Sequence, residues 1–141
     1  MPERKQSSAK RLTRREARDL DVKISFMEGV VRRDPRFVEA LQILGDHYTR
    51  RGDFDRSLRV DKQLSRLEPG NPLAFYNLAC SHALKGEFEL AATALENAIE
   101  LGYRDFKWLD QDPDLRALRE HDLFRDIEAK IRSLKVKIGS S

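Results

Sequence analysis

The sequence lacks most of what secreted and membrane-spanning proteins require. Its single cysteine, Cys80, excludes an internal disulfide and favours a reducing compartment. No apolar run approaches the roughly 18 residues that a membrane-spanning helix needs. Arg4, Lys5 and Arg11 make the first residues charged, and no apolar stretch follows them, so we expect no secretory signal. These absences together predict a cytoplasmic protein that does not enter a membrane.

Groups that build catalytic or metal sites are also scarce. The histidines are far apart and lack the spacing of zinc ligands: His47, His82 and His121. There is no glycine-rich phosphate loop. We interpret Cys80 as a small packing or groove residue, and the clustered acids as helix caps and solvated turns: Asp53 with Asp55, and Asp110 with Asp112 and Asp114. The sequence therefore predicts no enzyme, no metal and no cofactor.

Positive charge is concentrated at the N-terminus. Residues 1–18 carry seven Lys or Arg residues against Glu3 and Glu16, a net charge of +5, whereas the remaining residues sum to −2. We expect residues 1–12 to form a disordered basic tail. Such a tail could also attract nucleic acid, which keeps a nucleic-acid-associated regulator as an alternative function.

The chain repeats itself with a period of 34 residues. A shift of 34 places Gly52 on Gly86 and Pro35 on Pro69. It also aligns apolar residues, namely Leu44 with Leu78, Phe54 with Phe88 and Leu67 with Leu101. The number of agreements in one register indicates tandem structural units.

Each unit has the pattern of two helices. In the first unit Asp34 and Pro35 predict a helix start, and Gly52 and Asp53 predict a turn followed by a capped second helix. Between these signals, apolar residues recur at spacings of three and four, giving one apolar face: Phe37, Leu41, Leu44 and Tyr48. The second unit has the same scheme, with Asn71 and Pro72, Gly86, and finally Gly102 as a left-handed terminator.

These segments resemble the tetratricopeptide-repeat (TPR) signature: Leu44-Gly45-x-x-Tyr48, Gly52-Asp53-Phe54, Pro69, Leu78-Ala79, Gly86-Glu87-Phe88, Ala91 and Ala98. The resemblance implies an all-α, TPR-like solenoid of antiparallel helix pairs, with full repeats at 38–71 and 72–105. The stretch from Leu101 to Leu115 is similar to the ending of many bacterial TPR proteins.

Capping elements are expected on both sides of the two repeats, within a helical domain spanning 13–136. Thr13 and Glu16 form a capping-box pattern at the start of a predicted capping helix, 14–33. A degenerate repeat and C-terminal caps are predicted over 106–136, because Asp112-Pro113 interrupts the third unit. Residues 137–141 are expected to fray.

The TPR resemblance places a ligand on a short concave groove formed by the first helices of the units. The predicted groove residues are Glu39, Gln42, Asp46, Thr49, Leu73, Tyr76, Asn77, Cys80 and Lys107. The TPR carboxylate clamp for chaperone C-termini is not expected, because Asp46 would repel a carboxylate. The resemblance therefore implies an adapter that binds a peptide or helix of another protein. A self-associating helical scaffold is a further alternative.

Two residues depart from the repeat pattern. Asp61 stands where a large buried side chain is usual, and His82 replaces the tyrosine represented by Tyr48. A buried, unpaired carboxylate is costly. Asp61 is therefore expected either to turn to solvent or to contact His82 across the repeat interface.

Overall fold

The computed structural model describes residues 11–139, with side chains through residue 136. All regular elements in this part of the chain are helices. They are α1 (Arg14–Arg33), α2 (Val38–Arg51), α3 (Phe54–Leu67), α4 (Pro72–Leu84), α5 (Phe88–Glu100), α6 (Phe106–Leu109), a 3-10 helix (Pro113–Leu115), α7 (Arg116–Arg119) and α8 (Phe124–Gly139). Helices adjacent in sequence pack against each other from α1 to α5, as in a TPR-like solenoid. The predicted all-α fold class is confirmed.

Helix α1 begins at the predicted capping box. The Thr13 N–H donates to Glu16 Oε1 at 2.9 Å, and the Glu16 N–H donates to Thr13 Oγ1 at 3.1 Å. Leu20 and Ile24 bury one face of α1 against α2 and α3. Of the predicted basic tail, residues 1–10 lie outside the described residues. Leu12 is half-buried against the same apolar cluster, so the packed body includes it.

Helix α2 begins three residues later than the Asp34-Pro35 signal suggested. Asp34 instead ends α1: its N–H donates to the Val30 carbonyl at 3.0 Å, and its Oδ1 accepts from the Arg36 N–H at 3.3 Å. The N-cap of α2 is Phe37, which makes no side-chain cap bond. Because proline disfavours helix at the preceding residue, Pro35 stops α1, and the following residues turn the chain back.

The two repeats form the pairs α2–α3 and α4–α5. Asp53 caps α3 by accepting from the Arg56 N–H at 3.2 Å, and Asn71 caps α4 by accepting from the Leu73 N–H at 2.9 Å. Gly52 and Gly86 occupy the turns at φ of 86° and 74°, where a Cβ would be strained. These local predictions are confirmed.

The third unit is interrupted at Asp112-Pro113, as expected. The chain continues through the 3-10 helix and α7 into α8, which packs against α5 through Phe124, Ile127 and Ile131. Helix α8 extends to Gly139, so the helix includes residues 137–139 of the tail that was expected to fray, and residues 140–141 lie outside the described residues. No helix in residues 11–139 is both long and apolar enough to cross a membrane.

The small size of Gly45 allows α2 and α3 to approach closely. A Cβ added there would lie 3.3 Å from Val60 Cγ1 and 3.5 Å from Asp61 Oδ1, so a larger side chain has no room. We expect Gly45→Leu to lower the free energy of unfolding by about 1–3 kcal/mol through overpacking. Urea denaturation followed by circular dichroism measures this change.

Gly70→Leu is the matched control, because nothing lies within 4 Å of an added Cβ at Gly70. We expect that variant to stay within about 0.5 kcal/mol of the parent protein. Equal destabilisation by the two variants would contradict the close approach of α2 and α3.

Candidate functional site

The predicted groove residues divide into three classes of exposure. Glu39, Gln42 and Lys107 are exposed, and Asp46, Leu73 and Asn77 are half-buried. Thr49, Tyr76 and Cys80 are buried, with at most 1% of each residue accessible. These last three do not lie on an accessible surface, contrary to the prediction.

Tyr76 is part of the core between α4 and the C-terminal cap. Its hydroxyl donates to Asp112 Oδ2 at 2.7 Å, and its ring stacks on Tyr103 with centroids 4.3 Å apart. Burial raises the pKa of the Tyr76 hydroxyl far above its usual value, and the nearby Cys80 and Asp112 add to the shift. Tyr76 therefore stays neutral, and its hydroxyl stabilises the contact between α4 and the C-terminal cap.

Cys80, Asp112 and Asp114 bring potential metal-ligating atoms within 4.8 Å of one another. Both Asp112 oxygens already accept hydrogen bonds: Oδ2 from Tyr76 and from the Cys80 thiol at 3.6 Å, and Oδ1 from the Asp114 N–H at 3.0 Å. These hydrogen bonds give the cluster a structural role, because they attach the C-terminal turn to α4.

The interpretation of the Asp110, Asp112 and Asp114 group as solvated turns is wrong for two of its members. Asp110 is exposed, but Asp112 and Asp114 are 5% and 3% accessible. The turn folds inward because Arg119 Nη1 donates to the carbonyls of Leu109 and Asp112 at 2.8 and 2.7 Å. The capping role of Asp112 is confirmed.

Asp61 lies in the interface between the two repeats. It is 2% accessible, and its Oδ2 accepts from Ser81 Oγ at 2.5 Å, so the expectation that it turns to solvent is wrong. His82, one residue further along α4, places Nδ1 2.9 Å from Glu87 Oε1. This hydrogen bond lowers the pKa of the Glu87 carboxyl. Asp61 therefore contacts α4 across the repeat interface through Ser81, the residue before His82.

Hydroxyl groups extend the polar contacts at Asp61 across three helices. Thr49 Oγ1 donates to the Gly45 carbonyl at 3.1 Å and lies 2.6 Å from Ser57 Oγ. Ser57 Oγ lies 3.4 Å from Ser81 Oγ. The predicted groove residue Thr49 therefore belongs to a buried network that links α2, α3 and α4.

The geometry agrees with a comparison to known families. Residues 40–73 match the family model described as "Tetratricopeptide repeat". Over these residues the chain is therefore similar to a tetratricopeptide repeat. One relative, a chloroplastic protein of Arabidopsis thaliana, is 30% identical over 79 residues, which cover 54% of this chain and 24% of that protein. The chain therefore spans about a quarter of the length of this relative.

Helices α1, α2 and α3 also enclose an open cleft that was not predicted from the sequence. Its volume is about 610 Å³, and its lining comes from α1, α2 and α3, with none of the nine predicted groove residues. The available signal was the spacing of Arg56, Arg59 and Arg66 along α3, which places them on one face of the helix.

We expect Tyr76→Phe to lower the free energy of unfolding by about 1–3 kcal/mol, because it removes a donor from the buried Asp112 carboxylate. Urea denaturation measures the change. In the control Tyr48→Phe the lost partner is Glu28, whose side chain is 30% accessible and also lies near Arg56, so the cost should be smaller. An unchanged stability of Tyr76→Phe would argue against this stabilising role.

Ser81→Ala should cost about 1.5–3 kcal/mol of unfolding free energy, because Ser81 donates to the buried Asp61 carboxylate. Ser133→Ala is the control, since Ser133 is an exposed residue of α8, and it should change the stability by less than about 0.5 kcal/mol. Combining Ser81→Ala with Asp61→Asn should cost less than the sum of the separate losses. Additive losses would show that the two side chains do not depend on each other.

Proposed function

We propose that this chain is a protein-binding module that holds a peptide or helical segment of a partner on the surface formed by α2, α4 and α6. The observation that carries the proposal is the match to a tetratricopeptide repeat at residues 40–73, a segment that packs between α1 and the pair α4–α5. Repeats of this family generally mediate contacts between proteins and are typically non-enzymatic scaffolds. Stacked helix pairs of this kind offer an extended surface to a partner.

The proposed binding surface is smaller than the sequence suggested. Glu39, Gln42 and Lys107 are exposed on it, and Asp46, Leu73 and Asn77 are partly accessible. Mixed charge with one apolar group suits a neutral or mildly basic segment better than a C-terminal carboxylate, which Asp46 would repel. We also propose a reducing compartment such as the cytoplasm, because the buried Cys80 is a free thiol.

The double variant Glu39→Lys with Gln42→Lys tests this surface. In affinity purification from the source cell, we expect this variant to recover a specific partner at least about tenfold less well than the parent chain. The two lysines make the surface more positive, which would repel a mildly basic segment. Quantitative mass spectrometry measures the recovery.

Glu89→Lys with Asn97→Lys makes the same total charge change at exposed positions of α5 and is the control. We expect the control to recover the partner as the parent chain does. Equal recovery by both double variants would exclude the proposed surface.

A further inference from the structure

The cleft between α1 and α3 combines an apolar floor with a basic rim. Leu44 of α2 and Val60 of α3 are buried in the floor, and Val31 of α1 adjoins them. Gln63 secures the rim by donating from Nε2 to the Pro35 carbonyl at 2.9 Å. The cleft can therefore receive an apolar side chain while charged groups surround its opening.

Arginine dominates the rim. Arg56, Arg59 and Arg66 lie on one face of α3, at spacings of three and seven residues, and Arg32 extends from α1. Glu28 is the one acidic residue among those that line the cleft. Residues 19–141, which include the cleft, have a net charge of −2, so the excess of positive charge at the cleft is local.

The acidic residue and one arginine are already engaged with each other. Glu28 Oε2 accepts from the Tyr48 hydroxyl at 2.5 Å and lies 3.7 Å from Arg56, which also lies 3.6 Å from Asp53. Within residues 11–136, no carboxylate lies within 4.0 Å of Arg32, Arg59 or Arg66. These three guanidinium groups give the cleft an excess of positive charge.

The second repeat shows that the solenoid does not require these arginines. The 34-residue shift places Leu90, Thr93 and Glu100 where the first repeat has Arg56, Arg59 and Arg66. Both repeats have the same pair of helices, but this face carries three positive charges in the first repeat and one negative charge in the second. Positive charge at this face is therefore a property of the first repeat and is not required by the helix-pair fold.

We propose that the cleft binds an acidic segment of a partner protein that carries an apolar residue between its carboxylates. Arginine binds carboxylates through paired N–H groups, and the apolar floor accepts the side chain between them. A nucleic-acid backbone would leave the apolar floor unused, so an acidic peptide with an apolar side chain fits better. This site rests on the proposed protein-binding function but uses residues separate from the α2, α4 and α6 surface.

The probe is a fluorescent synthetic peptide in which pairs of Glu and Asp alternate with Leu and Phe. We expect saturable binding by fluorescence anisotropy, weakened at least about fivefold by Arg59→Glu and by Arg66→Glu. Arg132→Glu is the matched control: it makes the same charge change at an exposed site on α8 outside the cleft, and should alter the affinity less than about twofold. A peptide with Gln and Asn in place of Glu and Asp should bind much more weakly.

Several outcomes would overturn the proposal: no binding of the acidic peptide, equal weakening by Arg132→Glu and Arg59→Glu, or equal affinity for the Gln and Asn peptide. Stronger competition by duplex DNA than by unlabelled acidic peptide would assign the cleft to nucleic acid. Circular dichroism should show unchanged folding, because Arg59 and Arg66 are exposed. Loss of partner recovery in Glu39→Lys with Gln42→Lys would leave this result unaffected, so the two proposals fail separately.

Discussion

Helix α4 donates hydrogen bonds to two buried carboxylates, and the arrangement of the chain on both sides of it depends on them. Ser81 donates to Asp61 of α3, and Tyr76 donates to Asp112 of the C-terminal turn. A carboxylate removed from water destabilises a fold unless donors surround it. Alternative packings of α4 would leave at least one of these groups without its donor. The two aspartates therefore favour one position of α4 between the first repeat and the C-terminal cap.

The same contacts decide which part of α4 remains available to a partner. Tyr76 and Cys80 face the C-terminal cap because Asp112 accepts from both, so the cap covers positions that an open repeat stack would present. Leu73 and Asn77 stay partly accessible near the start and middle of the helix. The closely packed C-terminal cap thus reduces the area of the proposed binding surface on α4 and leaves more of that surface on α2.

Sequence periodicity predicted the helix pairs well because caps, turns and apolar spacing are local signals. The capping box at Thr13, the cap at Asp53 and the left-handed glycines all act within a few residues. The groove was predicted less well because its exposure depends on distant contacts. Gln42 and Tyr76 are equivalent in the 34-residue register, yet Gln42 is exposed and Tyr76 is buried under Asp112, 36 residues away. In the sequence, the burial of this position in the second repeat was indicated by the change from glutamine to a large aromatic side chain.

The two repeats share apolar packing positions but differ at exposed ones. Leu44 and Leu78 occupy equivalent positions and contribute to apolar clusters in both units, because each helix pair must cover its neighbour. At the outer face of the second helix, by contrast, Arg59 corresponds to Thr93 and Arg66 to Glu100, and all four are exposed. Their side chains are exposed, although Glu100 also accepts from Lys130 of α8, so the helix pairing leaves their charge free to serve recognition. The repeated apolar positions therefore determine the fold, while exposed residues that are not repeated give each unit a different surface.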